Sequence, residues 1–534
     1  MRYHALARTR TPSHALSRPL VPSHALARPL TPSHALSRPF PAFSAPSGKP
    51  LKCGWTAPGL WIYALDVRTL SDSNARLHTR ALADPRPVPC VPQVTHPGAL
   101  EYVRLVIRTA VHIWGFQYLK LDFLHTAAMP GGARHVPSMS RASALHQLMA
   151  AVREEAGEAV FILACGAPLG PCIGHVDALR VSADAATHWL PTGIDVPGIR
   201  WLFASDRTNL PAARNMVRNV AVRLPMGGRL WRNDPDCLIL REAGVDFSLG
   251  QAQALASVAA LAAGALIFSD PPTDLASSRL AVLQRVLPPL PRAGVALDLL
   301  RREIPAQMVV PLSPADRDPA ANSTIGWWWL VGLFNWSAED SRAGGDGEDG
   351  ISTRTLLAAA AAAPHGNSGV PPPTPTDGGA RGWHVFDIWS GTYQRLDGPW
   401  PTLHPPAVPP RCGWLAAIRP VGDGDEAQLV GTDVHISCGL EIEWLRDAPA
   451  GSGGRELELR INTGRAVEAP HVWLYLPCTA QATTPQVTAE GGVHGEPLTL
   501  PAPVWVERGV WMLTLASIDR GGVSPIHRVH FETS

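Results

Sequence analysis

The sequence predicts an α/β fold: an incomplete (β/α)8 barrel of the TIM type with about six β/α units, followed by an all-β sandwich. Three features of the chain support this prediction. Short apolar strands alternate with amphipathic helices across residues 51–303, a pattern typical of parallel β/α units. Residues 304–534 are strand-like, and residues 1–50 are proline-rich repeats that fit neither pattern.

The first forty residues repeat a decapeptide with a proline in each unit, within a proline-rich segment at 1–50. Proline at that density prevents a continuous helix or strand, and a ten-residue unit is too short for a packed solenoid. The first acidic residue is Asp66, so we expect a disordered, basic segment. Its composition resembles a plastid or mitochondrial transit peptide. A low-complexity extension or a mistaken start of the gene model explains it at least as well.

Six strand positions are recognisable in the predicted barrel. Apolar residues at three- and four-residue spacing mark the helices between them, for example at 99–114 and 140–156. A closed barrel needs eight strands, so two are unaccounted for and the outer strands should expose backbone edges. The predicted strands are 59–65, 116–124, 160–165, 176–181, 229–233 and 265–269.

The predicted sandwich contains strand-like segments such as TIGWWWLVGLFNW, GWHVFDIW and HVWLYLP. Residues 343–382 interrupt it with a run of alanines, three consecutive prolines and several glycines. That composition predicts a disordered, low-complexity insertion in a surface loop.

Composition excludes several classes of protein. The 534 residues are 46% hydrophobic and 17% charged with a formal net charge of +1, which argues against a disordered, nucleic-acid-binding or membrane-surface protein. The eight cysteines are scattered and no histidines cluster at metal-ligand spacing, so we expect neither a metal nor another cofactor. No apolar run is long enough for a membrane span. The oligomeric state is left open.

The segment GFQYLKLDFLHT is the first candidate for chemistry. In an extended strand Phe116, Tyr118, Lys120 and Asp122 lie on one face, and apolar residues occupy the other. Hydrophobic neighbours on both faces favour a buried parallel strand whose carboxyl end opens at the mouth of a barrel. This placement favours a functional role for Asp122 over a structural ion pair with Lys120.

A second carboxylate follows the strand predicted at 176–181. Arg180, Ser182 and Asp184 share a face if that strand remains extended to its end. Two carboxylates at the ends of barrel strands are the minimum for glycoside hydrolysis, because one attacks the anomeric carbon and the other protonates the leaving oxygen.

Long, ordered motifs then identify a resemblance. KLDFL, CGAPLGPCIGHVDALRVSADAATHW and LWRNDPDCLILRE resemble glycoside hydrolase family 36, the melibiase-like α-galactosidases. GLFNWS, FDIWSG and VGTDVHISCGLEIEW extend the resemblance into the β-rich half. It covers the chain from about residue 59 to the end, without the insertion.

The resemblance implies that Asp122 is the nucleophile and Asp184 the general acid/base of a retaining hydrolase. The Lys120 cation would keep Asp122 ionised, whereas Asp184 must arrive protonated, which burial and a negative neighbour would favour. The expected sugar-binding residues are Lys120, Arg180, Trp61, Cys165 and Gly166.

Other polar residues near these motifs are expected to have structural roles. Pro235 predicts a rigid turn whose aspartates accept hydrogen bonds from backbone amides. On this interpretation Asn233, Asp234 and Asp236 fix a loop, Asp270 belongs to a turn or helix cap, and His125 and His188 are hydrogen-bonding neighbours of the key aspartates.

The resemblance is incomplete at the N-terminal side. Family members carry a β-sandwich before the barrel, and their first two strands carry aromatic and paired aspartate residues that recognise galactose. No counterpart occurs here, where Trp55 and Trp61 are the remaining aromatic candidates. A truncated gene model, a complementing chain or a decayed relative would each explain the difference.

The leading functional prediction is hydrolysis of terminal α-D-galactosyl residues from α-galactoside oligosaccharides by double displacement. A raffinose-synthase-like galactosyl transferase would use the same two aspartates. A non-catalytic carbohydrate-binding remnant of the fold is the third possibility, favoured by the missing strands and opposed by the intact aspartate pair.

Overall fold

The computed structural model describes the backbone of residues 59–63, together with residues 94–129, 134–191, 210–318, 325–337, 341–342, 350–361, 380–422, 426–449, 454–476, 484–490, 498–519 and 521–532. The predicted repeats at 1–50, Trp55 and the side chain of Trp61 lie outside this description.

Five parallel strands form one sheet in which spatial order follows chain order. They are β1 (Gly59–Tyr63), β2 (Tyr118–Asp122), β3 (Phe161–Ala164), β4 (Ala178–Arg180) and β5 (Arg232–Asp234). A further parallel pair consists of β6 (Cys237–Leu238) and β7 (Ile267–Phe268). Each of the six predicted strand positions therefore contains a strand, and β6 is an addition.

A bend separates β5 from β6. Asp236 has a φ of 81°, and it follows Pro235, which cannot donate to a sheet ladder. Before the bend the chain pairs with β4, and after it with β7. The amide of Ala265 also donates to Asn233 O across 3.1 Å. The parallel architecture thus continues around the bend, but the described strands do not close into a barrel.

In the described part of this half, five helices accompany the parallel strands. They are α1 (Pro97–Arg108), which continues into a π-helical turn at Thr109–Ile113, α2 (Arg141–Ala156), α3 (Ala213–Val222), α4 (Leu249–Leu261) and α5 (Ser277–Val286). Ser140 caps α2 by accepting from the amide of Ser143 at 3.0 Å. No helix in the described ranges is long and apolar enough to cross a membrane.

The two faces of the parallel sheet have different surroundings. Leu119 and Leu121 of β2 are buried in the main core, together with apolar residues of α2. Tyr118 faces the other way and packs in a small cluster with Leu163 and Cys165. This alternation matches the predicted strand, but Phe116 precedes β2 and packs against the main core instead.

The β-rich half begins with a six-stranded antiparallel sheet in the order β14-β13-β17-β10-β9-β8. Its strands are β8 (Val295–Ala296), β9 (Gln307–Leu312), β10 (Trp328–Phe334), β13 (Gly382–Asp387), β14 (Tyr393–Asp397) and β17 (Gly413–Pro420). Two short antiparallel pairs are formed by segments that lie between its strands along the chain. They are β11 (Ser341–Arg342) with β16 (Ala407–Val408), and β12 (Ile351–Ser352) with β15 (Thr402–Leu403).

The described residues of this half form two further sheets. One contains β18 (Gln428–Thr432), β21 (His471–Tyr475), β25 (Val510–Thr514) and β24 (Val504–Glu507). The other contains β19 (Ile442–Pro449), β20 (Gly454–Ile461), β26 (His527–Glu532), β22 (Gln486–Ala489) and β23 (Leu498–Thr499). The predicted β-rich character of the C-terminal half is therefore present.

Part of the predicted disordered insertion is ordered. Residues 353–360 form helix α6 (Thr353–Ala360), in which Leu356, Leu357 and Ala360 are buried against the six-stranded sheet's core. Leucine and alanine favour helices, and the two leucines find apolar partners. Residues 343–349 and 362–379 of the insertion lie outside the described residues.

Side chains connect the parallel half to the β-rich half. Trp389 Nε1 donates to Ser257 Oγ of α4 at 2.9 Å, and Arg285 of α5 donates to Ile388 O at 2.6 Å. His435 Nε2 lies 2.8 Å from Pro288 O. These contacts bring the β-rich half against α4 and α5.

Candidate active site

Sheet register places four polar side chains in one row. The register can be followed through one set of paired residues that runs across β2 to β5 and consists of Lys120, Leu163, Ala178 and Arg232. The residues two positions further along these strands therefore form the next row on the same face, at the carboxyl edge. That row consists of Asp122, Cys165, Arg180 and Asp234.

Asp122 ends its strand at a sharp turn. Its Oδ1 accepts from the amide of Phe123 at 2.7 Å, and Phe123 adopts a left-handed φ of 54°. A left-handed φ lies outside the extended β region, so β2 cannot continue past Asp122. The strand predicted at 116–124 therefore ends earlier, at Asp122. The half-buried Asp122 carboxyl group lies at the carboxyl end of β2.

Gly166 and His125 hold this turn in place. The amide of His125 donates to Gly166 O at 2.7 Å, and His125 Nδ1 lies 3.1 Å from the same oxygen. Gly166 has a φ of 58°, and a Cβ there would approach His125 Nδ1 to 3.3 Å. His125 is thus a hydrogen-bonding neighbour, and Gly166 contributes its backbone.

The Cys165 thiol is hydrogen-bonded to Asp122. Burial raises the pKa of this thiol to about 12, the Arg180 cation opposes the rise, and the hydrogen bond with Asp122 adds to it. The sulfur therefore stays protonated near neutral pH and donates to the carboxylate. A protonated thiol is a poor nucleophile, so Cys165 orients Asp122.

Two buried ionisable side chains lie on the face of the sheet that carries Asp122 and Arg180, which we call the inner face. Lys120 is 6% exposed and Asp234 is fully buried. Burial raises the pKa of Asp234, and the Arg180 and Lys120 cations oppose that rise. Tyr118 stacks on Phe161 with ring centroids 5.3 Å apart, one layer deeper in the sheet.

Arg180 joins three parts of the site. Its Nη2 lies 2.6 Å from Asp184 Oδ1 and 2.5 Å from Asp236 Oδ2, and its Nη1 lies 3.8 Å from Cys165 Sγ. Burial alone would lower the pKa of Arg180, but the carboxylates of Asp236 and Asp234 outweigh burial and raise it. The guanidinium therefore stays charged and connects Asp184 to the residue that orients Asp122.

Asp184 does not occupy the position that an extended strand would give it. β4 ends at Arg180, and Asp184 lies in the following loop with a side chain that is 77% exposed. The expected burial of Asp184 is therefore absent. Its neighbour Ala185 donates its amide to Asp236 Oδ2 at 2.6 Å, so Asp236 holds both the loop and Arg180.

The rest of this loop, residues 184–189, is fixed at two further points. His188 Nδ1 lies 2.6 Å from Asp246 Oδ2. Trp189 stacks on Trp336 of the β-rich half, with ring centroids 5.8 Å apart and an interplanar angle of 23°. The Arg411 guanidinium lies 5.6 Å from the Trp189 ring. The β-rich half thus contributes to positioning the Asp184 loop.

Sequence reasoning missed Trp336, Arg411 and the pairing of Asp236 with Arg180. The sequence predicts a loop-fixing role for Asp236, which agrees with its bond to Ala185, but nothing in the local pattern relates Asp236 to Arg180. The two β-half residues are too distant in sequence for periodicity to connect them with Asp184.

The remaining polar candidates have structural partners. Asn233 accepts from Trp231 Nε1 at 3.1 Å and donates to Arg223 O at 2.9 Å. Asp234 Oδ1 accepts from the amide of Asp236 at 2.8 Å. Asp270 accepts from the amides of Leu240 and Arg241, bridging to a neighbouring loop. Trp61 pairs with Lys120 through its backbone.

Three buried polar atoms of the site have no hydrogen-bond partner within the described part of the chain: Arg180 Nε, Ser182 Oγ and Asp234 Oδ2. Buried polar atoms are nearly always satisfied by protein, water or ligand. Among the described residues, no group of three or more His, Cys, Asp or Glu side chains could hold a metal ion.

No protein-family model matches the chain. Among solved structures, it is similar to TtGalA, an α-galactosidase from Thermus thermophilus in complex with stachyose, at 30% identity over 37% of this chain and 39% of that chain, with a TM-score of 0.31. The same enzyme in complex with p-nitrophenyl α-D-galactopyranoside matches at 27% identity over 48% and 49%, with a TM-score of 0.33.

α-Galactosidase I from Mortierella vinacea matches at 13% identity over 60% of this chain and 72% of that chain, with a TM-score of 0.39. The chain spans half or less of the length of the Thermus thermophilus enzyme. All three TM-scores are below 0.5, so the functional assignment rests on the residues of the site.

Proposed function

We propose that this chain hydrolyses terminal α-D-galactosyl residues with retention of configuration, using Asp122 as nucleophile and Asp184 as general acid/base. The observation that carries the proposal is the continuous contact from Asp122 through Cys165 and Arg180 to Asp184. It joins two carboxyl groups at the carboxyl edge of one parallel sheet, where barrel enzymes place their chemistry. The galactoside specificity rests on the resemblance to glycoside hydrolase family 36.

The reaction would proceed in two displacements. The Asp122 carboxylate attacks the anomeric carbon, the bond from that carbon to the leaving oxygen breaks, and Asp184 gives its proton to that oxygen. Asp184 then accepts a proton from water, the water oxygen attacks the anomeric carbon, and Asp122 is released. Two inversions restore the original configuration. Retention requires carboxyl groups about 5 to 5.5 Å apart.

The contacts of the two aspartates suit these roles. The Phe123 amide and the Cys165 thiol both donate to Asp122, so its carboxylate is oriented before the sugar arrives. Arg180 Nη2 contacts Asp236 as well as Asp184. When Asp184 carries its proton, the Asp236 carboxylate still pairs with the guanidinium, so no unpaired buried cation results.

Sugar recognition would use the buried polar groups of the inner face. The Lys120 ammonium can donate to hydroxyl groups, and Asp234 Oδ2 and Ser182 Oγ can complete their hydrogen bonds with them. A site built to bond hydroxyl groups discriminates strongly against ligands that lack them. These three residues therefore support a carbohydrate as ligand.

A carbohydrate-binding remnant is the second candidate. It is favoured by the exposure of Asp184, at 77%, and by the absence of barrel closure among the described strands. Such a protein would bind a galactoside at the inner face and release it unchanged.

The test combines binding and turnover on the full chain. p-Nitrophenyl α-galactoside and raffinose are incubated with the wild type, with Asp122→Asn and with Asp397→Asn, a control at a 68% exposed carboxylate on β14. We expect release of galactose by the wild type and the control, and loss by several orders of magnitude in Asp122→Asn.

Product analysis separates the alternatives. Galactose as the main product supports hydrolysis, whereas galactosylated acceptors would indicate a transferase. Saturable galactose binding by calorimetry with no turnover in any variant would replace the enzyme by the binding remnant. Equal activity in Asp122→Asn and the wild type would reject the proposed nucleophile.

A further inference from the structure

Two histidines face each other away from the candidate active site. His146 belongs to α2, and His175 lies just before β4, at the amino end of that strand, whereas the active-site row lies at the carboxyl ends. Their Nε2 atoms are 3.4 Å apart, and their ring centroids are 4.5 Å apart with an interplanar angle of 62°. The two Nε2 atoms therefore face each other.

The tautomer of a neutral His146 ring follows from the contact of its other nitrogen. Nδ1 lies 3.3 Å from the carbonyl oxygen of Pro171, which can only accept a hydrogen bond. The proton of a neutral His146 therefore sits on Nδ1, and Nε2 carries a lone pair directed at His175. Metal-binding histidines usually have this arrangement, because the carbonyl fixes the ring and its tautomer.

The separation of the two nitrogens matches a coordination edge. Zinc–nitrogen bonds of about 2.0–2.1 Å in a tetrahedral site place two ligand nitrogens about 3.3–3.4 Å apart. The observed 3.4 Å lies at that value. We propose that His146 Nε2 and His175 Nε2 bind one borderline transition-metal ion, such as Zn²⁺, Ni²⁺ or Cu²⁺, with water at the remaining positions.

The surroundings are compatible with such an ion. Burial lowers the pKa of His175, and His146 and Arg153 lower it further while Glu154 opposes them, so the ring is neutral near pH 7. Arg153 is engaged with Asp177 at 2.6 Å. A neutral imidazole is the form that binds metal.

The site is a two-ligand site. The neighbouring Cys172 is buried and its pKa is raised to about 12, so its thiol stays protonated and does not compete as a ligand. Water completes the coordination, which makes the ion exchangeable. By joining α2 to the segment before β4, a bound ion would stabilise the folded state according to its affinity and concentration.

Zinc titration of the full chain tests the proposal. Calorimetry and thermal unfolding are recorded at pH 7.5 with ZnCl₂ for the wild type, His146→Asn, His175→Asn and His112→Asn. His112 is a matched control, because it is an exposed helical histidine whose Nε2 lies 3.2 Å from Glu155 O. Other histidines bind zinc equally in all four proteins, so the difference in stoichiometry is decisive.

We expect the wild type and His112→Asn to bind one zinc ion more than either site variant, and zinc to raise their midpoint of unfolding further. Lowering the pH should weaken this difference, because protons compete with the metal for the imidazole nitrogens. His175→Cys should recover the lost ion, since a thiolate can also ligate zinc. Superimposable titrations of the wild type and both site variants would overturn the proposal and leave a hydrogen bond between two neutral rings.

Discussion

Arg180 donates from Nη2 to Asp184 Oδ1 across 2.6 Å, although β4 ends at Arg180 and Asp184 lies in the loop beyond it. The same guanidinium contacts Asp236 at 2.5 Å. The position of Asp184 therefore depends on a buried cation shared between two carboxylates.

Arg180→Lys keeps the charge but removes the planar, branched set of donors. A single ammonium cannot reproduce the contacts to Asp184, Asp236 and Cys165, so Asp184 should lose its fixed position. Loss of one charge-assisted hydrogen bond costs about 1.5–3 kcal/mol, which corresponds to about a 10- to 100-fold fall in kcat. Steady-state kinetics on p-nitrophenyl α-galactoside measures this. A kcat equal to that of the wild type would show that the arginine geometry is dispensable.

Asp184→Ala should affect substrates according to their leaving groups. Raffinose needs protonation of its departing oxygen, whereas an activated aryl galactoside leaves with little assistance. We expect kcat/KM for raffinose to fall far more than that for the aryl substrate. Equal losses on both would assign Asp184 a structural role.

Trp336→Ala should loosen the Asp184 loop from the β-rich half. Removing the ring deletes the stack on Trp189, and aromatic pairs contribute about 0.5–1.5 kcal/mol beyond burial. The loss of activity should again be larger for raffinose than for the aryl substrate, because proton delivery is affected. Trp336→Phe keeps a stacking ring and serves as the control. A uniform loss on both substrates would indicate damage to stability rather than to positioning.

The stability of the β-rich half should fall in mild acid because His384 is buried in its neutral form. Burial lowers the pKa of His384 to about 4, against an ordinary value of 6.5. Below about pH 6.5 the His384 imidazole binds a proton in the unfolded chain but not in the folded chain. The free energy of unfolding therefore decreases as the pH falls, and the decrease levels off near pH 4. The full effect is about 3 kcal/mol.

His384→Gln removes this contribution. Its free energy of unfolding should depend less steeply on pH between 6.5 and 4 than that of the wild type, as measured by urea denaturation. His530→Gln is the control, because that side chain is 44% exposed. Identical pH profiles for the wild type and His384→Gln would contradict the account of a buried neutral ring.

Local periodicity predicted much of the parallel half. The helix beginning after Ser140 and the alternation of Lys120 and Asp122 follow from short-range patterns that the backbone enforces. The alternation that would place Asp184 on the same face as Arg180 does not continue, because β4 ends at Arg180 and a loop begins at residue 181. The φ of 81° at Asp236 and the stack of Trp189 on Trp336 depend on tertiary contacts, which local patterns do not encode.

The helix at Thr353–Ala360 likewise depends on tertiary contacts that local sequence patterns do not encode. Its alanine-rich sequence resembles a low-complexity segment, and the contacts of Leu356, Leu357 and Ala360 with the adjacent core make it part of the fold. Composition predicts which segments can remain unstructured, whereas an apolar partner determines whether they do.

The most direct test of the central claim is covalent trapping. A 2-deoxy-2-fluoro galactosyl donor slows the second displacement, so the sugar should accumulate on the nucleophile. Peptide mass spectrometry of the labelled wild type should locate the galactosyl group on Asp122, and Asp122→Asn should remain unlabelled. A label on another residue, or labelling of Asp122→Asn at the level of the wild type, would contradict the proposed mechanism.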